Sequence, residues 1–121
     1  MTQVVTPAQI EKRLYDLSKE IDVAQETLNA QELDYHRMKT SFELGMAKSR
    51  MEYATKSAPN GKNYTVQERD DMALIENEQT FRDLNIFEAR LKASRANVVR
   101  LKTQVEIARS IGTSVRTSME I

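Results

Sequence analysis

An all-α fold is what this sequence predicts: a long antiparallel, coiled-coil-like helical hairpin that assembles into a helical-bundle homo-oligomer. Three observations predict it. Glycine and proline are scarce, three and two in 121 residues, and long stretches contain neither, which favours helix over sheet. Apolar residues recur at alternating spacings of four and three, the mark of a heptad repeat. Charge falls in four blocks of alternating sign: net −4 over residues 1–35, +4 over 36–62, −5 over 63–88 and +5 over 89–121. A hairpin folding near residue 60 sets the first block against the fourth and the second against the third, and both pairings join opposite signs.

The elements follow in order within a single domain. Thr6 is a good N-cap, Pro7 suits the first helical position, and Gln9 completes a Thr-x-x-Gln capping box, with Val5 and Ile10 placed as a hydrophobic staple. The first stripe runs Ile10, Leu14, Leu17, Ile21, Ala24, Leu28, Gln31, Tyr35, Met38, Phe42, Gly45, Ser49. It predicts helix 1 over about 7–56, on the order of 75 Å long at 1.5 Å per residue. Gly45 and Ser49 make the end of this seam weak, so the tip is expected to be the part least committed to internal packing. A tip loop over 57–64 follows, where Pro59 disfavours helix at Ala58 and Asn60-Gly61 supply a turn.

Helix 2 is expected as one element over about 65–119. Thr65 and Glu68 form its capping box, and Asp70 and Asp71 suit the positive end of the dipole. Its stripe is ragged through Met72, Ile75, Phe81 and Leu84 and becomes regular from Phe87. Leu91, Ser94, Val98, Leu101, Val105, Ala108 and Gly112 are assigned to oligomerisation, within a segment 87–119. The small Ser94, Ala108 and Gly112 permit close helix approach, and Ile86, Val99, Ile107 and Ile111 widen the apolar face beyond what one partner helix covers. From Ser110 the chain is rich in Ser, Thr and Gly. Propensity there is poor, so helix is expected to about Thr113, and on to 119 only if packing holds it.

Composition excludes several function classes. There is no cysteine, hence no disulfide framework and no thiolate metal site. No apolar run reaches the roughly 20 residues that span a bilayer, and the first residues lack the pattern of a signal peptide; a soluble, cytoplasmic protein with no membrane partner is expected. Catalysis finds little support. His36 is the only histidine and reads as a surface residue, the three glycines are isolated, and the acids are scattered, so no metal, cofactor or catalytic residue is assigned.

Single-stranded nucleic-acid binding needs cations along the backbone and rings for the bases. The tip holds both: Lys48, Arg50, Lys56 and Lys62, with Tyr53 and Tyr64. Arg50 and Tyr53 share a helix face, whereas Lys48 and Arg50 lie about 200° apart across Ser49 on an ideal helix. The bland alternative is a solvated tip with Glu52 paired to Lys56.

Ala47-Lys48-Ser49-Arg50-Met51-Glu52-Tyr53 resembles the Leu-Lys-Ala-Arg-Leu-Asp-Tyr motif of the UvsY family, bacteriophage recombination mediators that bind single-stranded DNA. Lys48, Arg50 and Tyr53 are identical to the motif, and the other four positions are similar in size, polarity or charge. The resemblance extends over residues 38–121 and is strong at 47–53; as in that family, the motif precedes a glycine-containing loop and a long helix. It implies a non-catalytic protein that binds single-stranded DNA and helps a RecA-like recombinase replace the single-strand-binding protein in phage recombination and repair. It also implies a homo-oligomeric ring, a hexamer or heptamer, and location in the host cytoplasm if the chain is of phage origin. Lys48 and Arg50 would meet phosphates and Tyr53 would stack on a base. The alternative function is a coiled-coil scaffold, or a prefoldin-like chaperone hairpin, without DNA affinity.

Overall fold

The computed structural model describes residues 5–120, and within them the chain is all-α, with α1 (Pro7–Thr55), α2 (Val66–Glu76) and α3 (Glu78–Glu120). The long α1 and α3 pack antiparallel, as the charge blocks and heptads predict. The reading of residues 1–4 as free of a leader lies outside the described residues. No helix among the described residues is long and apolar enough to cross a membrane.

Both predicted helix starts form. At α1 the Thr6 N–H donates to Gln9 Oε1 at 2.9 Å and the Gln9 N–H to Thr6 Oγ1 at 3.3 Å. At α2 the Thr65 N–H donates to Glu68 Oε1 at 3.3 Å and the Glu68 N–H to Thr65 Oγ1 at 3.2 Å. Each box satisfies orphan amides that a bare first turn would leave to solvent. Between the helices, the Gly61 N–H donates to the Ala58 carbonyl at 2.9 Å and the Ala58 N–H to the Lys62 carbonyl at 2.8 Å. Pro59 and Asn60 thus occupy the corners of a tight turn, and Gly61, at φ 77°, takes the left-handed position that closes such three-residue loops.

Two expectations about helix 2 are corrected. It is two elements, α2 and α3, parted at Asn77 (φ −104°, ψ 22°). The break is small: the Asn77 N–H still donates to the Ala73 carbonyl at 3.1 Å and the Phe81 N–H to the Asn77 carbonyl at 2.9 Å. The tail is also more helical than its composition predicts, running past Thr113 to Glu120. Ala108 and Gly112 are buried and Val115 is half-buried, and the helix propagates from that packed part through the poorer sequence beyond it.

The chain divides into two compact units. One combines the chain up to Ala30 with that from Lys92 onward. Its buried seam is Ile10, Leu17, Ala24 and Leu28 of α1 with Val98, Leu101 and Ala108 of α3. An Arg13 Nη2 bond to Gln104 Oε1 at 3.0 Å marks the register. Gly112 lets the helices close: a Cβ there would lie 3.2 Å from Ile10 Cγ2. The second unit, residues 31–91, holds the end of α1, the turn, α2 and the start of α3. Its core includes Met46, Tyr53, Ala58, Ala73 and Leu91, with Phe42 and Phe81 in ring contact at 5.7 Å.

The residues assigned to oligomerisation are used inside the hairpin. Leu91, Val98, Leu101, Ala108 and Gly112 are buried, and Ser94 and Val105 are half-buried, within this one chain. Ile86, Val99, Ile107 and Ile111, off the seam, are exposed.

Candidate nucleic-acid interface

The predicted DNA residues all lie in the second unit, where α1 ends and α2 begins. Ser49 and Gly45 are not a failing seam. Ser49 is 7% exposed, and its Oγ accepts from Asn77 Nδ2 at 3.0 Å, which also donates to the Ala73 carbonyl at 2.8 Å. Gly45 makes room for that side chain, since a Cβ at 45 would sit 2.3 Å from Asn77 Oδ1. The end of the α1 seam is therefore packed internally, against the expectation drawn from its small residues, while the loop beyond it is exposed save for Ala58 and Tyr64. Those seam residues are small because an asparagine from the junction of α2 and α3 fills the space.

This commitment sorts the candidates. Tyr53 is only 8% exposed, its hydroxyl donates to Glu76 Oε1 at 2.5 Å, and its ring meets that of half-buried Tyr64 edge-on at 5.3 Å. Tyr53 is thus a core residue of the tip, without the open ring face that base stacking requires, while Tyr64 packs on it half-buried. Lys56 pairs with Glu52, as the bland alternative expects, and lies 5.3 Å from the Tyr53 ring centre. Arg50 Nε donates to Asp70 Oδ1 at 2.8 Å across the α1–α2 contact, with both side chains about half exposed. This joins the second and third charge blocks with the predicted sign. Lys48 and Lys62 are exposed, and their ammonium groups make no ion pair or hydrogen bond among the described residues.

Sequence reasoning missed Arg69, whose Nε donates to the Tyr64 carbonyl at 3.2 Å, and Glu76 and Asn77 as partners of the motif. Their only signal was the raggedness of the stripe between Met72 and Leu84. Among the described residues no group of three or more His, Cys, Asp or Glu could hold a metal ion.

The Tyr53–Glu76 contact makes stability depend on pH at both ends. The hydrogen bond to Glu76, then burial, then the charges of Glu76 and Glu52 push the Tyr53 hydroxyl from 10.0 to about 12. Hydrogen bonds from Tyr53 and then Ser49 hold the Glu76 carboxyl below its ordinary value. The tyrosine's contribution is complete below pH 10 and is lost as pH rises through about 12. The carboxylate's contribution is complete above the ordinary carboxylate range and is lost as pH falls through the lowered folded value. Tyr53→Phe should flatten the alkaline limb and weaken the acid one, read as urea midpoints across pH; profiles parallel to wild type would contradict the contact.

Comparison with protein-family models, with curated proteins and with solved structures finds no match to this chain.

Proposed function

We propose that this chain is a recombination mediator: a non-catalytic protein that binds single-stranded DNA at the α1 end and helps a RecA-like recombinase displace the single-strand-binding protein. The observation that carries the reading is Lys48, identical to the family motif it resembles, exposed, and without a polar partner among the described residues. Lys62 is a second cation of the same kind. Arg50 supports it too. Its pair with Asp70 is half-exposed, such pairs contribute roughly 0–1 kcal/mol, and a guanidinium bonded through Nε keeps further N–H donors for a phosphate. Lys56, held by Glu52, is a weaker contributor, and Tyr53 acts as a positioning residue that fixes the end of α1.

Assembly belongs to the same reading. A ring of copies would align several weak patches along one strand, and affinity would come from their number. The seam being filled by the hairpin itself, the exposed Ile86, Val99, Ile107 and Ile111 are the residues that would meet neighbouring copies.

The test is fluorescence anisotropy of a labelled oligonucleotide over a salt series with wild type, Lys48→Ala, Arg50→Ala and the double variant. Salt-sensitive binding is expected, with the log–log slope falling by about 0.7 for each phosphate contact removed from a single strand. Absence of binding at low salt would favour the scaffold instead. Light scattering tests assembly, and a monomer at micromolar concentration would sink the ring.

A further inference from the structure

We infer that the outer face of α1 around Met51, with Val66 of α2 beside it, is the surface that meets the bases of the bound strand; this deepens the DNA reading and rests on it. Met51 and Val66 are 73% and 72% exposed, more than the other large apolar side chains among the described residues. They line one groove of about 240 Å³ together with Ala54, Arg50, Arg69 and Asp70. The floor is apolar and two of the three charged residues on it are arginines.

The helix geometry places the third cation. At 100° per residue, Lys48 and Arg50 are about 200° apart through Ser49 and about 160° apart the other way. Ser49 is buried, so the arc open to a ligand is the shorter one, and Met51 lies on it, with Lys48 about 60° to one side and Arg50 about 100° to the other. A strand crossing this face meets apolar surface in the middle and a cation at either edge.

That combination selects the occupant. An anionic peptide does not carry a charge and a flat ring in every unit, and a duplex hides its bases within the stack. A single strand offers both phosphates and unstacked rings, and the stretch 36–62 that carries Lys48 and Arg50 has a net charge of +4, with Arg69 in the acidic stretch after it. A flexible thioether meets aromatic rings favourably and without a fixed geometry, which suits contact with any base. Asp70, the acid of the groove, holds Arg50 at its edge. The structure thus moves the base contact from the buried Tyr53 to its exposed neighbour two residues before it.

The experiment compares an oligothymidylate with an abasic oligonucleotide of the same length and phosphate count, by anisotropy, for wild type and for Met51→Gln/Val66→Thr. Both positions are exposed, so the variant keeps its fold, which far-UV circular dichroism verifies. Wild type should prefer the thymidylate by about fivefold or more, at the low end of base–side-chain contacts. The variant should lose that preference while keeping its abasic affinity and salt slope. Equal wild-type affinity for the two oligonucleotides, or an undiminished preference in the variant, overturns the inference alone. No salt-sensitive binding to either overturns the DNA reading and this inference with it. A fall in oligomer mass in the variant assigns the groove to contact between copies and overturns it as well.

Discussion

Leu17→Ala is expected to lower the unfolding free energy by about 2–3 kcal/mol, against a change within about 0.5 kcal/mol for Val23→Ala six residues along the same helix. Leu17 has no exposed surface, and Val23 is 63% exposed. A hairpin of two helices has one layer of seam, so most of its core side chains touch solvent at an edge. Leu17 is the large side chain that does not. The close approach of Gly112 to Ile10 places it, seven residues on, near the level of Val105, where the apolar faces of α1 and α3 enclose it. Removing it forfeits transfer free energy and leaves a gap, but so thin a core can partly close, which keeps the cost at the low end of the range for leucine to alanine. Urea unfolding followed by far-UV circular dichroism measures both variants, at one protein concentration because an assembling chain gains stability by mass action. A loss below about 1 kcal/mol for Leu17→Ala would mean the seam is not a close-packed core in solution.

The parts of this fold that could be read in the sequence are those written locally. Thr6 with Gln9 and Thr65 with Glu68 cap helices by contacts three residues long, and Pro59, Asn60 and Gly61 form a turn from their own backbone preferences. The heptad stripe named the buried residues of the α1–α3 seam, because period alone fixes which face turns inward, but not Met46, Tyr53, Ala58 and Ala73, which are buried about the tip. What could not be read depends on a partner distant in the chain. Asn77 follows a helical sequence and precedes another, and only the ragged stripe around it hints at a break; its partner is 28 residues away at Ser49. The tail has poor propensity residue by residue, whereas its helix continues from the packed turns at Ala108 and Gly112.

The candidate site divides in the same way. Lys48 and Lys62 stand exposed where the sequence put them, since charge with no partner nearby stays in water. Arg50, Lys56 and Tyr53 were equally visible as residue types, but their roles follow from Asp70, Glu52 and Glu76. Of these only Glu52, on the same helix, could be anticipated. The roughly 200° separation of Lys48 and Arg50 is measured across Ser49, a weak seam position in the sequence. Its burial turns the other arc outward.

Gly45 and Asn77 should show a reversal of sign, the clearest signature of that buried contact. Alanine in a helix interior is better than glycine by up to about 1 kcal/mol, so Gly45→Ala would stabilise a free surface. Here its Cβ falls 2.3 Å from Asn77 Oδ1 and 3.3 Å from Cγ, so the carboxamide must leave. Its bonds to Ser49 and to the Ala73 carbonyl go with it, in a half-buried site where lost partners cost about 1–3 kcal/mol. Gly45→Ala alone should therefore be destabilising, by about 1–2 kcal/mol. In an Asn77→Ala background the atoms it strikes are gone, and the same substitution should stabilise by up to about 1 kcal/mol. The two effects differ by about 2–3 kcal/mol, within the range of coupling between residues in contact, and a double-mutant cycle in urea measures it. Stabilisation by Gly45→Ala in both backgrounds would show that the carboxamide is not lodged against α1. The kink between α2 and α3, and with it the placement of Asp70 against Arg50, would then need another cause.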